Sequence, residues 1–186
     1  LEFDGEAVAV PTGDVGRFEA PHRFGFHDEI LEDLVQAGAH VDVYVKSGVI
    51  RQYSLTGDPG DRAKYRLGVL LDPKSRGGSS AIHQAFQAGE VIRIGRPRNN
   101  FPMQGNLSHT ILFAGGVGIT PILNMAYALE AANASWEMHY CGRTADRLAF
   151  LAELEQFASK VHLHLDDGPK EQQLDIRKVL TTSAPD

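Results

Sequence analysis

Phe113-Ala114-Gly115-Gly116-Val117-Gly118-Ile119-Thr120-Pro121 is the stretch that decides how this sequence folds. An apolar run enters a glycine-rich turn and passes directly into a helical pattern. Glycines allow positive φ and leave room for a ligand against the backbone. Thr120 is suited to the N-cap and Pro121 to the first helical turn, where its missing N–H costs little. The free N–H groups and the positive end of the helix dipole would then face a phosphate. A tight strand-to-helix connection without a ligand has the same appearance, and the run is not the G-x-G-x-x-G dinucleotide pattern.

Working outward, Thr110 to Ala114 reads as a buried strand, and Ile122, Met125, Ala126 and Leu129 recur at helical spacing. Trp136 to Tyr140 is a second strand and Leu148 to Phe157 a second amphipathic helix. Val161, Leu163 and Leu165 alternate in a third strand, and Leu174 to Leu180 reads as a third helix. Strands alternating with helices imply a parallel sheet with right-handed crossovers. Three such units are half of a doubly wound domain. The expectation for residues 106–186 is therefore an α/β nucleotide-binding domain, incomplete at its C-terminal end.

Upstream the texture changes. Val41, Val43 and Val45 alternate with Asp42 and Tyr44, a Ser47-Gly48 turn follows, and Val49 to Tyr53 completes a hairpin. Tyr65, Leu67, Val69 and Leu71 alternate again, and Val91 to Ile94 makes another short strand. Between them a short helix starts at Ser79 or Ser80, carries Ile82, Ala85 and Phe86 on one face, and stops at Gly89. This predicts a small antiparallel barrel over residues 1–105. Within residues 1–36, Gly5 to Val10 reads as a strand, the stretch holding Pro11, Gly13, Gly16 and Pro21 as loop, and His27 to Gln36 as a helix.

Composition narrows the classes. The 186 residues are 42% hydrophobic and 23% charged, enough apolar material for a core and no signature of disorder. A formal charge of -6 disfavours nucleic acid, which recruits clustered Lys and Arg. No apolar run approaches the roughly 20 residues of a membrane span, and no signal peptide is visible, so the expected compartment is the cytoplasm. Cys141 is the single cysteine, which leaves no internal disulfide and no four-cysteine iron–sulfur site within the chain.

Two further segments carry chemistry. Arg51 and Tyr53 are two apart on a strand and project to one face, where a guanidinium can hold a phosphate and an aromatic ring can pack on a flat ligand. Ser54 can hydrogen-bond such a ligand's edge. An exposed Arg and Tyr on a barrel strand is the simpler reading of that segment alone. Arg76-Gly77-Gly78-Ser79-Ser80 opens the short helix and forms either a second anion site or a plain capped turn.

In order, Arg51-Gln52-Tyr53-Ser54-Leu55, Arg76-Gly77-Gly78-Ser79, Pro97-Arg98-Asn99-Asn100-Phe101-Pro102, Gly115 to Pro121, and His139-Tyr140-Cys141-Gly142-Arg143-Thr144 together resemble the phthalate dioxygenase reductase family over residues 37–182. The resemblance implies a ferredoxin-NADP reductase-like fold: a flavin-binding barrel, then a domain for NADH, with a [2Fe–2S] ferredoxin domain outside this chain and a terminal oxygenase as electron acceptor. It implies FMN, with FAD as the alternative. Arg51 and the Arg76-Gly77-Gly78-Ser79-Ser80 turn would hold the flavin phosphate, and Tyr53 would pack on the ring with Gln52, Val69 and Leu70 nearby. Ser54 would face the reactive edge. Gly115, Gly116, Gly118, Pro121 and Cys141 would border the nicotinamide nucleotide, Thr120 would stand at the junction, and Arg143 would contact a phosphate or ribose. Ser54 and Thr120 are the expected catalytic pair, acting through position rather than acid–base chemistry.

The family's Cys-Gly-Pro segment has no counterpart before Asp186, and residues 11–36 do not look like its opening strands, so the chain reads as a fragment or as a sequence lacking some stretches. Arg143 and Arg147 together would tolerate the extra phosphate of NADPH. A free-standing flavin reductase, a ferredoxin–NAD(P) reductase and a non-catalytic nucleotide-binding or docking module are the rival readings. His162 and His164, two apart on a strand, lack a third ligand of evident spacing and read as rim histidines; no metal site is expected. Cys141 taken alone reads as a small buried side chain. Asp166-Asp167-Gly168 reads as a turn, and His83 either as a neighbour of the flavin phosphate or as an exposed helix residue.

Overall fold

The computed structural model describes residues 4–6, 8–12, 15–21, 36–45, 48–61, 64–71, 79, 82–83, 91–105 and 107–183, the first three runs and Val91 as backbone. Antiparallel strands come first: β1 (Asp4–Glu6), β2 (Val8–Thr12), β3 (Val15–Pro21), β4 (His40–Tyr44), β5 (Ile50–Ser54), β6 (Lys64–Leu70) and β7 (Val91–Arg93). β2 pairs with β3, and β3 with β6. A bridge between Leu55 and Leu67 joins β6 to the end of β5. β5 pairs with β4, and bridges Val43 to Ile94 and His40 to Arg98 join β4 to the chain running out of β7. β7 pairs with β1, which is one residue away from β2 along the chain, so the strands follow one another around a barrel-like ring with β2 at an outer edge.

Alternation fills the ring. Val41, Val43 and Val45 from one strand meet Tyr65, Leu67 and Val69 from another, with Leu55, Ile82, Ile92 and Ile94 completing a buried cluster. The hairpin turn forms where expected, with Gly48 at φ +76 and its N–H donating to the Val45 carbonyl at 2.9 Å. The backbone of residues 15–21 departs from the loop expected there: it is a full strand between β2 and β6. Its prolines mislead. Pro11 lies on the outer strand β2 and Pro21 is the last residue of β3, two places where a missing N–H is tolerated. Residues 27–35 of the expected His27–Gln36 helix and most of the 79–89 helix lie outside the described residues; Gln36 is not helical, and Ser79, Ile82 and His83 are.

The second half is a parallel sheet in the order β8 (Thr110–Gly115), β9 (Trp136–Gly142), β10 (Val161–Leu165). Helix α1 (Ile119–Ala131) forms the first crossover and buries Ile122, Met125, Ala126 and Leu129, the predicted apolar face, on Leu112, Ala114, Trp136, Met138 and Tyr140. The second crossover is more broken than the periodicity predicts. Ala145–Arg147 and Glu155–Phe157 are 3₁₀ turns around a single turn of helix, α2 (Leu151–Leu154). Phe150 interrupts it, with φ +62, because its ring is buried against the barrel. Helix α3 (Ile176–Thr182) starts two residues later than predicted, capped by Asp175, whose carboxylate accepts the Lys178 N–H at 3.0 Å.

Barrel and sheet pack tightly along one seam. Asn124 of α1 is 2% exposed; its carbonyl oxygen accepts the Gly38 N–H at 3.0 Å and its amide donates to the Gly57 carbonyl at 2.6 Å. Gly38 has φ +95, and a β-carbon there would lie 2.0 Å from the Phe101 carbonyl oxygen. The Pro97–Pro102 segment is the connector: Arg98 donates to Asp42 at 2.8 Å, and Asn99 donates to the Ala37 carbonyl while accepting the Phe101 N–H, each at 3.0 Å. Replacing Asn124 by Ala strands a buried N–H at Gly38 and a half-buried carbonyl at Gly57. Urea denaturation should show a loss of about 2–4 kcal/mol; a loss below about 0.5 kcal/mol, the range of ordinary surface changes, would mean the clasp is dispensable.

Candidate functional site at the seam

The glycine turn at the end of β8 is built as its sequence requires. Gly116 takes φ +51, and a 3₁₀ turn over Gly116–Gly118 leads without a break into α1. Gly115, Gly116 and Gly118 are exposed, and a β-carbon on any of them would meet nothing within 4 Å. Open space beside three bare backbone positions at the start of a 13-residue helix fits a phosphate-bearing ligand. Thr120 is not the N-cap that the sequence suggests. Glycine turns the chain earlier, the helix is already running, and the Thr120 hydroxyl donates back to the Val117 carbonyl at 3.1 Å. Pro121 does fall in the first turn of α1.

Thr120 faces the barrel. A β-carbon on Gly68, in the middle of β6, would lie 2.6 Å from the Thr120 methyl and 2.8 Å from the Phe150 ring. Gly68 is therefore glycine because α1 and Phe150 press on it. Val69 beside it is 1% exposed, and its carbonyl receives a His83 ring nitrogen at 2.9 Å; Leu70 is half-buried. That contact places His83 on the barrel wall rather than free on an exposed helix face.

The second expected segment lies on a neighbouring strand. In the β4–β5 register Arg51 stands opposite Val43 and Tyr53 opposite Val41, so the two share a face as the spacing predicts. Tyr53 is half-buried against the barrel core and Arg51 is exposed, with its guanidinium donating to the Ile50 carbonyl at 2.9 Å. Burial raises the Tyr53 hydroxyl above its ordinary pKa, and the Arg51 charge partly opposes this. Gln52 turns the other way and bonds Asp42. Ser54 ends the strand half-buried, one residue before the Leu55–Leu67 bridge that adjoins Gly68. Arg76, Gly77, Gly78 and Ser80 lie outside the described residues; Ser79 is helical.

Two features escaped the sequence reading. Tyr140 is fully buried at the end of β9; its hydroxyl donates to the Gly116 carbonyl at 3.1 Å and accepts the Ala149 N–H at 3.0 Å. One phenol thus ties the glycine turn to the residue before Phe150. Burial raises its pKa, keeping it protonated as a donor. Its position in the His139–Thr144 motif was the only available signal. Cys141 is half-buried opposite Gly115, with its thiol pushed up by burial and then by Asp166; Arg143 is exposed just beyond the strand.

The second feature is on the sheet face away from α1, where Glu137 and His139 of β9 stand beside His162 and His164 of β10. The missing third ligand type of the His162–His164 pair comes from a neighbouring strand, where sequence spacing cannot show it. Replacing Tyr140 by Phe removes both hydrogen bonds. Stability should fall by about 1–3 kcal/mol, and hydrogen exchange should quicken at Val117, Gly118 and Ala149 but not in the β4–β5 hairpin. Unchanged exchange at these amides would count against the tether.

No family model matches the chain. Known proteins do. The chain is 48% identical over 152 residues to a vanillate O-demethylase oxidoreductase of a Pseudomonas species, covering 81% of this chain and 48% of that protein. It is 43% identical over 157 residues to the tert-butanol monooxygenase / tert-amyl alcohol desaturase reductase subunit of Aquincola tertiaricarbonis, covering 83% and 46%. The solved structure of a phthalate dioxygenase reductase, described as a modular structure for electron transfer from pyridine nucleotides to [2Fe–2S], superposes with a TM-score of 0.87 at 31% identity, over 99% of this chain and 58% of that one. The chain spans about half the length of the curated relatives it matches. Antiparallel barrel, parallel sheet and these likenesses agree: the chain belongs to the phthalate dioxygenase reductase family, with a ferredoxin-NADP reductase-like fold.

Proposed function

We propose that this chain is the flavin- and NADH-binding part of an oxygenase reductase, passing electrons from NADH through FMN to a [2Fe–2S] acceptor and on to a Rieske-type oxygenase or O-demethylase. The observation that supports this most directly is the seam itself. Gly68 of the barrel touches Thr120 at the head of α1, two residues past an open glycine turn. A ligand on the barrel strand and a ligand on the turn would have their ends brought to one place.

In this reading, residues 1–105 hold the flavin and 106–186 the nucleotide. Arg51 and the Gly77-Gly78-Ser79-Ser80 turn hold the flavin phosphate, Tyr53 packs on the ring, and Ser54 hydrogen-bonds its edge, with Val69 and Leu70 behind. Gly115, Gly116 and Gly118 give the nucleotide access to backbone N–H groups. Thr120 fixes the junction by packing on Gly68, and Arg143 reaches a phosphate or ribose. When bound, the flavin supplies the conversion of one hydride into single electrons. The protein's share is alignment: the reacting atoms must be held about 3–3.5 Å apart. The reading also places the protein in the cytoplasm; among the described residues no helix is long and apolar enough to cross a membrane.

Purified protein that is yellow and bleaches on addition of NADH supports the proposal. A colourless protein that never retains FMN or FAD favours a docking module, and chromatography of the heat-released flavin separates FMN from FAD. Arg51→Ala should lower flavin content severalfold; equal content in variant and parent would remove the phosphate role. Thr120→Val keeps the methyl against Gly68 and loses the hydroxyl. It should slow flavin reduction in stopped flow at unchanged flavin content, and equal losses in both would count against a junction role.

A further inference from the structure

We propose that Glu137, His139 and His162 form a binding site for one divalent transition-metal cation of the zinc class, on the sheet face opposite α1. The parallel register sets it up. Trp136, Met138 and Tyr140 point into the α1 core, so Glu137 and His139 point to the other face, and His162 is the direct neighbour of His139 on β10. One ligand atom from each of the three lies within 4.8 Å of the others. His139 Nε2 is 3.6 Å from Glu137 Oε1, and His162 Nε2 is 3.8 Å from Glu137 Oε2. Tetrahedral coordination with bonds near 2.0–2.1 Å needs ligand atoms roughly 3.3 Å apart. Closing that difference takes small side-chain movements; His162 is exposed, with its ring stacked on that of His139 at 4.9 Å between centroids. His109, with Nε2 3.9 Å from Glu137 Oε1, borders the same point.

The hydrogen-bond chain behind the cluster indicates what it lacks. The Gln172 carbonyl can only accept, so His164 must donate to it through Nδ1 at 2.9 Å. A neutral His164 then presents a lone pair at Nε2, which accepts from His139 Nδ1 at 2.9 Å. That leaves His139 Nε2 as a bare lone pair. It is buried, without a hydrogen-bond partner, and directed at a carboxylate oxygen, Glu137 Oε1, that is itself buried and without one. Two buried acceptors facing each other are unfavourable unless a metal cation or a proton lies between them. His139 is 6% exposed, so its ring is held in place by the sheet around it. An imidazole whose far nitrogen donates to a fixed acceptor is the usual arrangement at a metal. Two nitrogens and one carboxylate select zinc, cobalt, nickel or copper over magnesium or calcium. The site would clamp β9 to β10, and it does not depend on the flavin reading.

The test titrates this chain with Zn²⁺ and, separately, Co²⁺ at neutral pH, by calorimetry and by visible absorption. One equivalent should bind, the thermal midpoint should rise, and Co²⁺ should develop the d–d bands of a four- or five-coordinate site. His162→Ala, at an exposed position, should leave the metal-free midpoint unchanged, weaken binding more than tenfold and abolish the rise. His164→Ala, a positioning change, should weaken binding roughly tenfold. Absence of saturable binding, or His162→Ala binding as tightly as the parent, would overturn the proposal. So would ¹⁵N spectra of the metal-free chain showing a proton on His139 Nε2.

Discussion

Two hydrogen bonds made by one buried amide side chain hold the halves of this molecule in register. Asn124 is the residue through which α1 grips the barrel, accepting from Gly38 and donating to Gly57. Asn124 is almost completely enclosed, and so is the Gly38 N–H that it accepts from. Everything proposed for the site depends on that rigidity. Thr120 lies one helical turn from Asn124, so the grip that fixes one fixes the other against Gly68.

Close approach is the second constraint, and glycine supplies it twice. At Gly38 the backbone is left-handed and there is no room for a side chain; at Gly68 an ordinary strand residue would collide with the Thr120 methyl and the Phe150 ring. In both places the absent side chain belongs to the fit between barrel and sheet. The open glycines at 115, 116 and 118 are a different case, since nothing of the protein occupies the space beside them. Gly48 and Gly105 are open as well, so what singles out 115, 116 and 118 is their place together at the head of α1.

Much of this was legible in the residues. Alternating valines at 41, 43 and 45 and the helical run from Ile122 to Leu129 follow directly from burial on one face, and both elements formed as expected. Residues 15–21 were not legible, because their strand identity comes from pairing with β6, more than forty residues further on, rather than from local preference. The break at Phe150 was hidden for a similar reason: its ring is buried in the core of the α/β half and also meets Gly68 of the barrel, contacts that local spacing does not encode. Thr120 misled by being a good cap in a chain where glycine had already started the turn. Asn124 and Glu137 carry no motif at all; their partners are assigned by topology, which spacing does not encode.

The Tyr140 tether has a consequence for how a ligand would be received. A turn rich in glycine has many conformations of similar energy, and a ligand that orders it must supply the entropy of doing so. Here the phenol hydroxyl seizes the Gly116 carbonyl from a fully enclosed position, so the ordering is complete when the chain folds. Backbone N–H groups beyond it are therefore aimed in advance, and association can proceed without waiting for the loop to find its shape.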